Sequence, residues 1–180
     1  LRSLRGLSDP RSWELRRRAA PSAALVESLT GVDGDPAWEL RAALERDHPL
    51  PVLRSVRGLD HPKAWVTRRN LARVAPKTVL ATIEGMGGAE ADALREDLRT
   101  LAPEETAASD AKGDSAAAWK RRAELADEAP AGVIRSLRGV PREKGEKVVV
   151  EIARRHPRRL RVAREAAQFL LRTRWTDTSI

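Results

Sequence analysis

Residues 58–84 read GLDHPKAWVTRRNLARVAPKTVLATIE, and two corners in that stretch decide the fold. Gly58 suits the left-handed position just past a helix end. Pro62 suits the first turn of a helix, where its missing N–H costs nothing. A first helix, A, is therefore predicted from this point to Ala75. The Ala75-Pro76 step forces a turn, because the residue before proline resists α geometry. Pro76 then opens a second helix, B, which closes at Gly85 and puts Val79, Leu80 and Ile83 on one face.

The same punctuation recurs along the whole chain. Glycines fall at Gly6, Gly31, Gly58, Gly85, Gly113 and Gly139, spaced 25, 27, 27, 28 and 26 residues apart. Prolines keep phase at Pro21, Pro49, Pro76, Pro103, Pro130 and Pro157, and Trp13, Trp38, Trp65 and Trp119 share the beat, with Asp92 in the fourth tryptophan slot. A fixed period of this length marks a helical-repeat architecture. Other units show the same apolar spacing: Ala37, Leu40 and Leu44 in a helix A, then Val52, Leu53, Val56 and Val133, Ile134, Leu137 in helices B. Asp35 before Pro36 reads as an N-cap followed by proline. Helices this short are marginal alone, so stacking must stabilise them.

These signals predict an all-α fold, a single α-solenoid domain over 1–180 of about six two-helix units near 1–30, 31–57, 58–84, 85–112, 113–138 and 139–180. The one β-branched run, Val148-Val149-Val150, sits in helix register, so strand content should be near zero. The fourth unit opens Gly85-Met86-Gly87-Gly88 and offers only Ala107, Ala108 and Ala111 to the core in its second half. It is expected to be the least well packed. The last helix, through Ala163, Ala166, Ala167, Phe169 and Leu170, is longer, as a terminal capping repeat requires. The chain starts in mid-pattern at Leu1, so it reads as the C-terminal part of a longer protein, with residues 175–180 as an unpatterned tail.

Composition bounds the function. Hydrophobic residues make up 41% and charged residues 33%, enough to fold a water-soluble core. No apolar run approaches the ~18 residues of a membrane span, so no membrane partner is expected. The absence of cysteine removes disulfides, thiol nucleophiles and thiolate metal sites, and fits a cytoplasmic protein. The net charge of +8 permits acidic or nucleic-acid partners. Arginine and alanine abound while lysine is scarce, as a GC-rich genome produces without selection for binding.

The units resemble HEAT repeats, especially the short bacterial kind. The likeness rests on a loop aspartate followed by an apolar-Arg pair in helix A: Asp9 with Leu15-Arg16, Asp35 with Leu40-Arg41, and the partial Leu94-Arg95. Two features depart from that family: the period is shorter, and a tryptophan precedes the pair. The resemblance implies a right-handed solenoid that binds other proteins. The Trp, Leu, Arg and Ala-Pro pattern is also similar to C-terminal repeat extensions of large bacterial P-loop kinase-like proteins. No phosphate-binding loop is present here, so no kinase activity carries over.

Candidate site residues fall into two groups. Arg16, Arg41, Arg68, Arg95 and Arg122 follow the tryptophan slot by three residues and should form a ladder. One reading is structural, with each arginine over its own indole ring and paired to a loop carboxylate such as Asp35 or Asp60. The other is a basic stripe for phosphates. The structural reading is favoured, because Arg95 persists where the tryptophan is missing. The tryptophans likewise read as inter-repeat packing rather than base-stacking platforms. The second group, Arg154, Arg155, Arg158, Arg159, Arg161 and Arg164, lies in a segment, 139–180, with 11 basic and 5 acidic residues. It reads either as a solvated cap face or as a contact for an acidic surface or nucleic acid.

The glycines at 85–88 lack the lysine and hydroxyl of a P-loop and read as a loosened junction. His48, His61 and His156 sit next to proline in turns, expected to be exposed, with no Ser or carboxylate at a catalytic spacing. No catalytic residue, metal site or cofactor is expected. The expected function is a non-enzymatic scaffold or binding module for a protein partner or for other domains of its parent chain. The alternative is a nucleic-acid-binding HEAT-like protein with a basic concave face, of the kind seen in alkylpurine DNA glycosylases.

Overall fold

A computed structural model describes residues 1–175, with the side chains of Arg2 and residues 173–175 outside the description. The tail expected at 175–180 therefore lies outside the described side chains. The described residues are all-α and contain no strand. After a 3-10 turn at Arg2–Leu4 come twelve α-helices: α1 (Pro10–Arg18), α2 (Ala23–Glu27), α3 (Asp35–Leu44), α4 (Pro49–Ser55), α5 (Pro62–Leu71), α6 (Pro76–Thr82), α7 (Ala89–Leu98), α8 (Pro103–Ser109), α9 (Ala116–Leu125), α10 (Pro130–Ser136), α11 (Arg142–Arg155) and α12 (Leu160–Trp175). Val148, Val149 and Val150 lie within α11.

Proline does what its chemistry dictates at the corners. It opens α4, α6, α8 and α10 at the first helical position, and each preceding residue (His48, Ala75, Ala102, Ala129) leaves α geometry. One expected cap differs. Asp35 is already the first residue of α3, and Gly34 is its N-cap. Ser22 and Ser115 cap α2 and α9 through their side chains, and Asp9 does so for α1.

The helix pairs close on residues in the left-handed region: Gly6, Gly31, Gly58, Gly85 and Gly139, with φ between 72° and 80°. In the fourth pair, α7 and α8, that residue is Lys112 (φ 64°), not the neighbouring Gly113. With Lys112 counted, the last four intervals all become 27 residues, so the glycine at 113 had displaced the register by one. The left-handed residue also ties one pair to the next. Gly58 N–H donates to Thr82 O (3.0 Å), Gly85 N–H to Ser109 O (3.0 Å) and Lys112 N–H to Arg138 O (2.8 Å).

The chain divides into two compact units, Leu1–Ile83 and from Glu84 onward. In the first unit α2 packs on α4 and α4 on α6. Its core includes Leu25, Val26, Leu44 and Val52, with Trp13 packed against Leu29, Val32 and Ala37. In the second unit α8 packs on α10, α10 on α12, and α11 on α12, around Leu125, Val133, Ile134, Leu137, Val149, Ile152 and Phe169.

The fourth segment is better packed than its composition predicts. Ala107 and Thr106 are fully buried, and α10 approaches α8 so closely that a Cβ on Gly132 would lie 2.2 Å from Glu104 O. Gly132 on α10 has no Cβ to hold the α8 backbone away, and this close approach stands in for large side chains.

Candidate functional site

The five ladder arginines are the largest fully buried side chains among the described residues, each between 0% and 2% exposed. Helical spacing puts four of them over the tryptophan a turn before, and Arg95 beside Asp92. The guanidinium carbon lies 4.7, 4.4, 4.4 and 4.6 Å from the ring centroids of Trp13, Trp38, Trp65 and Trp119 for Arg16, Arg41, Arg68 and Arg122. Such cation–π contacts are strongest when desolvated.

Arg95 meets the carboxylates of Asp92 (3.3 Å) and Asp110 (3.4 Å), but the hydrogen bonds shared by all five arginines go elsewhere than the loop carboxylates that the sequence suggested. Each Nε donates to a hydroxyl at the C-terminal end of the following short helix, the C-cap of α2 and the last residue of the others: Arg16 to Ser28 (3.1 Å), Arg41 to Ser55 (3.0 Å), Arg68 to Thr82 (3.1 Å), Arg95 to Ser109 (2.9 Å) and Arg122 to Ser136 (2.9 Å). The terminal nitrogens donate to main-chain carbonyls of two loops. Arg41 Nη2 reaches Leu29 O and Val32 O, both at 2.8 Å, and Arg122 Nη2 reaches Asp110 O (2.9 Å) and Gly113 O (2.8 Å). Each guanidinium thus satisfies helix-end carbonyls that would otherwise be orphaned. The hydroxyl is fixed in turn, since Ser55 donates to Val52 O (2.7 Å) and Thr82 to Val79 O (2.7 Å).

Burial pushes the Arg41 and Arg68 guanidiniums down to about 10, opposed by the nearby charges of Asp33 and Asp60. Both remain cationic at neutral pH. The loop aspartates serve the indoles instead. Trp38 Nε1 donates to Asp33 (2.8 Å), Trp65 to Asp60 (2.8 Å) and Trp119 to Asp114 (2.6 Å), while Trp13 donates to Ser8 O (3.1 Å).

The serine and threonine positions escaped the sequence reading, although 28, 55, 82, 109 and 136 are spaced by 27 throughout. Serine in four of them and threonine in the other are ordinary surface residue types, which hides that signal. Arg121 was missed as well. It donates to Asp110 through Nε (2.9 Å) and Nη2 (2.7 Å) and to Asp92 (2.7 Å). The Asp110 hydrogen bonds, opposed by desolvation and helped by Asp110 and Asp92 charge, raise its pKa further above the usual arginine range.

The second arginine group divides by partner. Arg155 bonds Glu151 and lies 3.6 Å from Asp127, and Arg159 Nη1 donates to Asp127 O (3.4 Å). Arg154, Arg158, Arg161 and Arg164 are exposed and have no carboxylate partner among the described residues. They surround the α11–α12 corner together with Leu160, which is 87% exposed.

The histidines are half-buried, not fully exposed, in their turns. His61 Nδ1 accepts from Lys63 N–H (3.1 Å) and its ring stacks on Trp38 at 4.6 Å, while His156 Nε2 lies 3.5 Å from Asp127. In the 85–88 loop, Met86 O accepts from Arg95 Nη2 (2.7 Å), so that turn is held by the ladder. Among the described residues no group of His, Asp and Glu is placed to hold a metal ion, and no helix is long and apolar enough to cross a membrane. No family model, curated protein or solved structure matches the chain.

Proposed function

We propose that the chain is a non-enzymatic binding module, a right-handed HEAT-like solenoid of about six helix pairs that presents its surface to a protein partner or to other domains of its parent chain. One observation carries this reading: the most regularly repeated polar side chains are used up inside. Arginine, tryptophan and hydroxyl join helix to helix at fixed spacing, so the interior is a standard joint and the outward residues are left to vary. A scaffold of interchangeable joints with a variable exterior is the economy of repeat proteins.

The contact surface in this reading is the α11–α12 corner, where four exposed arginines frame Leu160. Guanidiniums suit bidentate carboxylate recognition, and a protruding leucine suits a small apolar recess in a protein. Affinity purification from the native cell, with the wild-type chain beside a variant carrying glutamate at 154, 158, 161 and 164, tests it. A protein recovered by the wild type, lost with the variant and rebound as purified components supports the reading. Recovery unaffected by the substitutions, or turnover of a substrate by the isolated chain, sinks it.

Nucleic-acid binding is the second reading, favoured by the same four arginines. The four repeat tryptophans weigh against base stacking, since each of their rings already carries an arginine on one face. This reading predicts DNA affinity that falls steeply with salt. No binding in a low-salt titration removes it.

A further inference from the structure

We propose that a pocket between α10, the α10–α11 turn and α12 binds a small apolar monocarboxylate, a function separate from the partner contact at the α11–α12 corner. The pocket has a volume of about 400 Å3, within the ~300–1,000 Å3 range of small-ligand sites.

Its shape follows from two glycines. Gly139 takes the left-handed turn (φ 80°) that swings the chain from α10 into α11. Gly145 lets the Phe169 ring of α12 settle on α11, where a Cβ would lie 2.7 Å from the ring tip. The floor is therefore apolar, formed by Ile134, Leu137, Val140 and Phe169, each under 10% exposed.

Charge at the mouth selects the head group. Arg135, Arg138, Arg142 and Arg172 line it, together with Glu165. Arg138 lies 3.7 Å from Glu165, Arg142 2.8 Å from Glu146 and Arg135 3.6 Å from Glu104. Four cations against three carboxylates leave one positive charge, and the buried Nε of Arg135 has no acceptor. A single carboxylate balances that charge and accepts paired guanidinium bonds, while an apolar chain or ring fills the floor. A phosphate monoester, with its second charge, matches less well.

Calorimetric titration of the intact chain with octanoate, and with octanol as its uncharged match, tests the proposal. Saturable one-to-one binding of octanoate in the sub-millimolar range is expected, with octanol at least ~10-fold weaker. The Arg138→Ala/Arg172→Ala double variant alters only the rim and should weaken octanoate ~10-fold or more at unchanged melting temperature. Gln168→Trp should block the pocket without entering the core. Absence of saturable octanoate binding overturns the proposal, as does equal binding of octanol or insensitivity to all three substitutions. Tighter capture of a peptide with an apolar free C-terminus, displacing octanoate, would assign the pocket to a protein tail and also overturn it.

Discussion

Arg121 on α9 reaches back to Asp92 on α7, with 2.7 Å between Nη2 and the carboxylate, at the helical position that tryptophan holds in α3, α5 and α9. Asp92 also meets Arg95 at 3.3 Å, and Asp110, almost fully buried, takes two bonds from Arg121. An ion network has thus replaced an indole against the fourth ladder arginine. Removing one partner of a buried pair strands the other. Asp110→Asn should destabilise the protein by about 3 kcal/mol, read as a lower urea midpoint. An unchanged midpoint would show the network to be dispensable.

The ladder joint makes a prediction of its own at Arg68. Its planar fork donates at once to Thr82 Oγ1, Leu59 O (3.0 Å) and Val56 O (2.7 Å), while its face lies on Trp65. A lysine has a point charge and cannot match that geometry. Arg68→Lys should cost about 2–3 kcal/mol, and Thr82→Val about 1–2 kcal/mol. Because the two side chains bond each other, the double variant should lose less than the sum. Strict additivity in chemical denaturation would refute the joint.

The helix corners were legible because proline and glycine constrain the backbone directly, wherever they stand. Arg68 over Trp65 was legible from helical spacing alone. The joint's other half was not, because Thr82 is brought to Arg68 by helix packing rather than by local pattern. Asp33, Asp60 and Asp114 each stand five residues before a tryptophan and accept from its indole, a role that loop folding rather than helical spacing creates. Arg121 could not be distinguished from its neighbours in sequence, since only the three-dimensional vacancy beside Asp92 gives it a role.

Lys112 holds a left-handed backbone that elsewhere belongs to glycine. For a residue with a Cβ that conformation costs about 1–2 kcal/mol, partly offset by glycine's greater freedom when unfolded. Lys112→Gly should therefore stabilise the protein by about 0.5–1 kcal/mol. The same replacement at Lys120, an exposed residue inside α9, should destabilise by a similar amount. Thermal melts of the two variants moving in the same direction would contradict this assignment.

The carboxyl of Asp114 is held below its ordinary 3.8, first by the Trp119 indole hydrogen bond and also by Lys144, against some desolvation. A carboxylate depressed on folding stabilises the native state above its unfolded value. That contribution is lost as pH falls through the lower folded value. The Trp119 indole N–H resonance should consequently titrate with a midpoint under 3.8, and Asp114→Asn should abolish the transition. A midpoint at or above the ordinary value would exclude the bond in solution.

Gly132 and Gly145 separate two kinds of close approach. A Cβ on Gly132 would meet backbone, 2.2 Å from Glu104 O and 2.9 Å from its Cα, and neither helix can yield without parting α8 from α10. A Cβ on Gly145 would meet the far end of the Phe169 ring at 2.7 Å, which a small rotation relieves. Alanine is the better helix former at both sites by about 1 kcal/mol. Overpacking costs about 1–3 kcal/mol, and more where backbone must move. Gly132→Ala should thus destabilise by about 3 kcal/mol, while the two effects at Gly145→Ala should nearly cancel. Chemical denaturation of the pair decides it, since equal losses would mean that the α8–α10 contact is no tighter than the aromatic one.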